Sequence, residues 1–297
     1  MEKILRIRHV NDYARYIGAP ELHPLVSVIH YDELEHCRHS LNNYDVYAMF
    51  IGDEELEDLS YGQLQYDLHR HALMCVAPGQ IGGKTDTGEE IHTKGWALLF
   101  DSELLRHTEL GRRMSGYTYF SYSVSEALLL TDVQRQTIVS LLEQVRQELL
   151  CGEDAHTLRI VISLIEQVLE VVARYYALQL STAATSVNSD LLPRFEHLLR
   201  QYYENSLQRQ HGVPTVKYCA RQLFLSPNYF GDLIRELTND SATSYIRRFV
   251  MQRARQLLAG GMTVTETAES LGFGYPQHFT RIFKKHFGMT PSEFIRR

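Results

Sequence analysis

The sequence predicts an α+β chain of two domains: a β-rich N-terminal domain followed by a helical pair, and an all-α C-terminal domain carrying a double helix-turn-helix. Three observations lead there. Apolar residues recur in short, turn-punctuated runs up to about residue 100, then at helical spacing to the end. The charge is divided, with 15 Lys/Arg against 27 Asp/Glu in residues 1–187 and 15 against 9 in residues 188–297. A pattern of apolar and polar residues in the last third also occurs twice.

The composition is that of a globular protein, with 297 residues, 44% apolar and 22% charged. That length accommodates two domains, each with its own core. No apolar run approaches the ~20 residues that cross a bilayer, and MEKILRIRHVNDY lacks the apolar centre of a signal peptide, so a cytoplasmic protein without membrane association is expected. Cys37, Cys75, Cys151 and Cys219 form no C-x-x-C pair, which fits free, mostly buried thiols. The acidic N-terminal part repels polyanions and the basic C-terminal part attracts them, so contact with nucleic acid belongs at the C-terminal end.

Taken in order, LVSVIHY (25–31), YDVYAMFI (44–51), ALMCVAP (72–78) and GWALLFD (95–101) read as strands of an antiparallel sheet or barrel, broken by Gly-Asp, Pro-Gly and Gly-Gly. Glu54, Glu55, Glu57 and Asp58 read as a solvated loop. His30, His36, His39 and the pair His69 and His71 raise a metal site, but the sequence completes no ligand set, and His69 to His71 suits a turn before a strand. No phosphate loop, dinucleotide fingerprint or nucleophile elbow occurs, so neither cofactor nor catalytic residue is expected. Tyr117, Tyr119, Phe120 and Tyr122 form an aromatic cluster that either lines a ligand cavity or belongs to the core.

The period then changes. Ile138, Leu141, Val145 and Leu149 mark one helix, Cys151-Gly152 breaks it, and Leu158, Val161, Ile165, Val168, Val172 and Tyr175 mark a second with a coiled-coil-like seam. This pair either packs only on its own domain or also makes a homodimer contact. STAATSVNS, residues 181–189, reads as a linker between a domain of residues 1–180 and one of 190–297.

Beyond it, Leu191 to Glu204 is amphipathic, and Val216 to Leu223 leads through a turn at Phe224-Leu225 into a helix opened by Ser226-Pro227. The second copy follows. Thr263 and Glu266 fit a capping box for a helix through Ser270, Leu271-Gly272-Phe273 is the turn, and Pro276 opens a helix that Gly288 ends. Ala220, Leu223 and Leu225 match Ala268, Leu271 and Phe273 at a spacing of 48, and Pro227, Asn228, Phe230 and Leu233 match Pro276, Gln277, Phe279 and Ile282 at 49. In the last helix Phe279, Ile282, Phe283 and Phe287 form an apolar stripe, while Gln277, Thr280, Arg281 and Lys284 form a polar one. A connector helix from about 242 to 259 joins the copies; its ~27 Å length suits recognition helices one DNA turn apart. Ile246, Phe249, Val250, Ala254 and Leu257 are its inward face, and Arg247, Arg248, Arg253 and Arg255 are placed toward solvent or phosphate. Thr290 and Glu293 form a last capping box, with Phe294 tucked inward.

The stretches VKYCARQLFLSPNYFGDLIREL and ETAESLGFGYPQHFTRIFKKHFGMTPSEF closely resemble the DNA-binding domain of the AraC/XylS family of bacterial transcription regulators, over roughly residues 190–297. The β-rich part with its two helices resembles, by layout, the cupin-like β-barrel and helical dimerisation pair common in that family. The resemblance implies a regulator, more usually an activator, that binds double-stranded DNA as a homodimer, answers to a small-molecule effector and contacts RNA polymerase. It places Asn228, Gly231 and Asp232 at groove-facing positions of the first recognition helix, and Gln277, Thr280 and Arg281 at those of the second. Gln pairs with adenine and Arg with guanine, while Lys284 and Lys285 are placed for phosphate. The first helix departs from the pattern: Gly231 offers no side chain, Asp232 brings negative charge to DNA, and Phe224 stands where glycine suits a left-handed turn. A competing class is a metal-dependent cupin enzyme fused to a DNA-targeting module; a third is a regulator whose β-rich domain binds only protein partners.

Overall fold

The four apolar runs become four neighbouring strands of one sheet. The computed structural model describes residues 4–35, 37–53, 56–61, 64–68, 71–86, 88–152, 154–186 and 191–296, with the backbone alone for 56–61, 64–68, 124 and 183–186. Twelve strands occur among these: β1 Leu5–Ile7, β2 Val26–His30, β3 Cys37–Arg38, β4 Leu41–Tyr44, β5 Tyr47–Gly52, β6 Leu56–Tyr61, β7 Leu64–Leu68, β8 Ala72–Val76, β9 Ile81–Gly83, β10 Glu90–Ile91, β11 Gly95–Phe100 and β12 Leu128–Leu129. One five-stranded sheet runs β12-β8-β5-β11-β2, a second runs β1-β4-β9-β6-β7, and β10 pairs with β3 as a ribbon. The expected barrel is thus, among the described residues, two sheets and a ribbon in place of one closed ring. A single core cluster draws Ile7 and Tyr44 from the second sheet and Ile29, Ala48, Val76 and Leu99 from the first, so the two share one interior.

The first sheet is legible because its strands are apolar throughout. All five residues of β8 and all six of β11 are buried. The second sheet carries polar strands such as LNNY, LEDLSY and LQYDL, which pair through their backbones without an apolar signature. Glu57 and Asp58, expected in a solvated loop, lie in β6; Glu54 and Glu55 lie outside the described residues. His36 and His69 also lie outside them, and His71 sits in a turn with φ 59°. No group of three His, Cys, Asp or Glu suited to a metal occurs among the described residues. The cysteines are free, with Cys37, Cys75 and Cys219 buried and Cys151 exposed.

Helix α1, Val10–Ile17, went without an expectation although Val10, Tyr13, Ala14 and Ile17 repeat at helical spacing and are all buried. It is followed by α2, Glu109–Arg113, and by the expected pair α3, Asp132–Leu150, and α4, Thr157–Ser186. The buried stripe of α3 is Ile138, Val139, Leu142 and Val145, rotated from the expected one because Leu142, not Leu141, follows Ile138 inward. On α4 the seam Val161, Ile165, Val168 and Val172 is fully buried, and Tyr176 continues it in place of Tyr175. Helix α4 runs on to Ser186, through the first six residues of the stretch expected as linker; residues 187–190 lie outside the described ones.

Two ion pairs fasten α3 to the strands: Arg135 bonds Asp53, and Arg146 Nη1 donates to Glu33 Oε1 at 2.7 Å. Glu33 also faces His30 Nδ1 at 3.1 Å, and His30 stacks on Trp96 with centroids 4.1 Å apart. Arg146 first of all, then His30, holds the Glu33 carboxyl at about 2 against an ordinary 4.5. A carboxylate depressed in the folded state stabilises above its unfolded pKa and ceases to do so as pH falls toward the folded one. The difference in thermal midpoint between the native chain and Glu33→Gln is therefore expected to hold from neutral pH to about 5 and to vanish between about 4.5 and 2. Unfolding curves recorded across that range check it, and a difference that grows on acidification contradicts the pairing.

The described residues divide into two compact units, 1–179 and 180–297. The second is all helical: α5 Leu191–Glu204, α6 Gln208–His211, α7 Val216–Gln222, α8 Pro227–Thr238, α9 Ala242–Ala259, α10 Val264–Ser270, α11 Pro276–Phe287 and α12 Pro291–Ile295. Its core gathers one face from nearly every helix, including Phe195, Tyr202, Phe230, Ile246, Met251, Phe279 and Phe283.

Candidate nucleic-acid interface

Each half of the C-terminal unit is a short helix, a tight turn and a polar-faced second helix. Ser226 caps α8 by accepting from the Tyr229 N–H at 3.3 Å, and Pro227 occupies the first helical position, where no N–H partner is needed. Thr263 and Glu266 form the reciprocal capping box on α10, and Thr290 with Glu293 forms another on α12. Helix α11 opens at Tyr275, whose side chain makes no capping bond, and ends at Gly288 with φ 77°.

The two turns carry the same backbone bonds at the spacing of 48. Leu225 N–H donates to the Ala220 carbonyl at 3.0 Å, and Phe273 N–H to that of Ala268 at 2.9 Å. Both middle residues are left-handed, Phe224 at φ 60° and Gly272 at φ 84°. Gly272 is required twice over, since a methyl group there would lie 2.7 Å from the carbonyl carbon of Gly212. Phe224 takes the strained conformation with its ring 88% exposed. Phe224→Gly is accordingly expected to stabilise the C-terminal unit by up to about 1 kcal/mol, strain relief offset by the freer unfolded chain. Urea unfolding followed at the C-terminal helices tests this; a lower midpoint would mean that the exposed ring makes stabilising contacts.

Helix α11 presents the clearer polar row. Gln277, Arg281, Lys284 and Lys285 are exposed and Thr280 is half-buried, while Phe279 and Phe283 on the other side are fully buried. Three basic residues, Lys284, Lys285 and His286, occupy its last turn, where they complement the helix dipole. On α8, Asn228 is exposed and Gly231 half-buried. Asp232 is not the open negative charge that the sequence suggested: its carboxylate is 14% exposed and accepts from Arg235 Nη1 at 2.8 Å. Arg235 stands 64% exposed one turn along, a partner that the i, i+3 spacing of the sequence allows.

The connector α9 has the expected ends. Ile246, Val250 and Ala254 are buried, Phe249 and Leu257 half-buried, and Met251, not anticipated, is fully buried. Its arginines are partly committed to rings and carboxylates. Arg253 lies over Tyr203 at 5.0 Å, Arg255 over Phe287 at 5.8 Å, and Arg248 over Tyr245 while paired with Asp240 at 3.2 Å. Such cation–π contacts orient the connector against its neighbours. Arg247 is exposed.

In the N-terminal unit the aromatic cluster has gone into packing. Tyr117, Tyr119, Phe120 and Tyr122 are all under a tenth exposed. Tyr117 donates to Glu170 Oε1 at 2.8 Å, Tyr119 to the Leu169 carbonyl at 3.0 Å, Tyr119 and Tyr122 both meet Tyr176, and Phe120 packs on Tyr47. These contacts join the first sheet to α4, and none of the four lines the cavity of about 120 Å³ that Tyr13, Tyr31, Asn42, Tyr44, Phe50 and Met74 wall in that unit.

A family model described as a helix-turn-helix domain matches residues 219–297. YesN of Bacillus subtilis (strain 168), named an uncharacterized transcriptional regulatory protein, is 36% identical over 87 residues, 28% of this chain and 24% of YesN. PqrA of Proteus vulgaris, named a probable transcription factor, is 30% identical over 95 residues, 32% of this chain and 77% of PqrA. The chain belongs to the AraC/XylS family. As an AraC/XylS-family protein it shares the C-terminal helices with these relatives and spans about a quarter of the length of YesN. A solved structure of ToxT from Vibrio cholerae aligns over 91% of this AraC/XylS chain and 98% of its own at 12% identity, with a TM-score of 0.30.

Proposed function

We propose that the chain is a sequence-specific DNA-binding transcription regulator, in the manner of an activator, whose α8 and α11 enter successive major grooves. The observation that carries this is α11, where an exposed row of Gln277, Arg281, Lys284 and Lys285 backs onto the fully buried Phe279 and Phe283. Gln277 and Arg281, with Thr280 beside them, read bases; Lys284 and Lys285 hold phosphate; Asn228, Gly231 and Asp232 face the groove from α8. With Gly231 bare and Asp232 tied to Arg235, the second motif supplies more of the affinity than the first.

In this reading residues 1–180 form a cupin-like effector-binding and dimerisation domain, residues 181–189 connect it to the DNA-binding domain of 190–297, and α3 with α4 supplies the homodimer contact. The exposed Ile160 and Leu178 on α4 support that contact. Effector binding changes how the two DNA-binding domains are presented, and RNA polymerase is the downstream partner. No described helix is long and apolar enough to cross a membrane, which is compatible with a cytoplasmic regulator.

The test is a selection of bound duplexes from a random pool by the full chain. Enrichment of a motif with two half-sites about one helical turn apart supports the reading. Binding that follows salt alone, with no enriched motif, overturns it.

A further inference from the structure

When α8 and α11 enter successive major grooves on one face of a duplex, the minor groove between them faces α9, Ala242–Ala259, which joins the two motifs. Three of the four arginines of this connector are engaged within the protein. Arg248 lies over Tyr245 and pairs with Asp240, Arg253 lies over Tyr203, and Arg255 lies over Phe287. Arg247 is exposed and makes no hydrogen bond, ion pair or ring contact among the described residues.

Arg247 also stands between the two copies. It lines a groove of about 490 Å³ with one wall from Pro214, Thr215 and Val216, where α7 begins, and the other from Gly272, Gly274 and His278 of the second motif. Ile246, Val250 and Met251 of α9 line it with Arg247. No described Asp or Glu does, so no lining carboxylate repels a polyanion laid across the groove.

Two hydroxyl groups flank the arginine. Thr215 Oγ1 accepts from the Tyr218 N–H at 3.1 Å, which caps α7 and leaves the hydroxyl proton for an outside acceptor. Thr243 lines the groove one helical turn before Arg247 and is exposed. Such hydroxyls bond phosphate oxygens without regard to sequence. A guanidinium in the minor groove is more selective. A·T-rich DNA narrows that groove and strengthens its negative potential, whereas each G·C pair places the guanine amino group, a donor, in the path of another donor.

We propose that Arg247 enters the minor groove between the two half-sites and selects an A·T-rich spacer, with Thr215 and Thr243 on the flanking phosphates. The inference rests on the reading of α8 and α11 as recognition helices. It adds a third element to the DNA site, one read through groove shape and the missing amino group.

The experiment is the duplex selection described above, followed by competition binding of the full chain to three duplexes. All three keep both selected half-sites and the spacer length, and the spacer is made of A·T, G·C or inosine·cytosine pairs. Inosine lacks the amino group, so its pair with cytosine presents the minor-groove face of A·T and the major-groove face of G·C. The A·T and inosine spacers are expected to bind about fivefold tighter than the G·C spacer, and Arg247→Ala to bring all three within about twofold of one another without changing half-site preference. The spacer comparison uses the native chain, so it decides the matter even if the variant fails to fold. Equal binding of the native chain to the three spacers overturns the proposal. So does an Arg247→Ala variant that weakens all three alike and lowers the slope of log affinity against log salt by about one, since Arg247 is then a phosphate contact. A selection that returns two half-sites with a spacer of indifferent composition overturns this inference alone. One that enriches no half-site overturns the regulator reading and this inference with it.

Discussion

Arg281→Ala is expected to flatten the preference for one base pair of the selected site while leaving preference at the others intact. Arg281 is exposed on the face of α11 opposite the buried Phe279 and Phe283, so truncation removes a reading group without disturbing the core. A bidentate arginine–guanine pair discriminates by ~1–3 kcal/mol, roughly five- to 150-fold in affinity between the right base pair and a wrong one. Competition binding against the selected duplex and its single-position variants measures this directly. The contrast is Lys284→Ala, expected to weaken every duplex alike and to lower the slope of log affinity against log salt by about one. Should Arg281→Ala behave as Lys284→Ala does, Arg281 is a phosphate contact and base reading belongs to Gln277.

Phe283→Ala is expected to destabilise the C-terminal unit by ~3–5 kcal/mol, enough to consume much of the stability of a unit of this size. Phe283 is fully buried and sits at the centre of a ring cluster, with centroids 5.6 Å from Phe279, 4.7 Å from Phe287 and 6.0 Å from Phe294. Its removal leaves three rings facing a void that helices α11 and α12 cannot both close. Because the chain has two units, a single unfolding midpoint would mix them. Hydrogen exchange resolved by segment is the suitable measurement: protection should fall in α10 to α12 and stay unchanged in β8 and β11. Unchanged protection across α11 would show that the cluster repacks and would lower the weight given to Phe283.

How much of this was legible follows from the physics of each segment. Helices α5, α9 and α11 were read nearly end to end because amphipathic spacing and terminal signals, such as Pro276 and Gly288 on α11, agree on the same boundaries. The strands ALMCV and GWALLF were legible because both faces are buried, which leaves an unbroken apolar run. LNNY and LQYDL were not, since polar residues leave no apolar run to mark a strand that pairs with its neighbours through the backbone. The aromatic cluster at Tyr117 to Tyr122 was visible, but its partners Glu170 and Tyr176 lie some fifty residues away, and only the fold shows that they fill the space around it. The cavity escaped for the same reason, its wall being gathered from Tyr13, Tyr31, Asn42, Tyr44 and Met74 on separate elements. On α8 the groove-facing positions rest on the family resemblance, whereas the capture of Asp232 by Arg235, which their i, i+3 spacing allows, depends on side-chain geometry that only the fold shows.

The two left-handed turn residues set different rules for inheritance. At position 272 the backbone of Gly212 stands in the way of any side chain, so descendants of this sequence can keep only glycine there without rebuilding the neighbouring loop. At position 224 the side chain already projects into solvent, and the sole penalty is a backbone angle that asparagine, aspartate or glycine would bear more easily than phenylalanine. The first motif is therefore the copy whose turn tolerates other side chains, while the second is held to glycine by a contact with a loop outside the repeat.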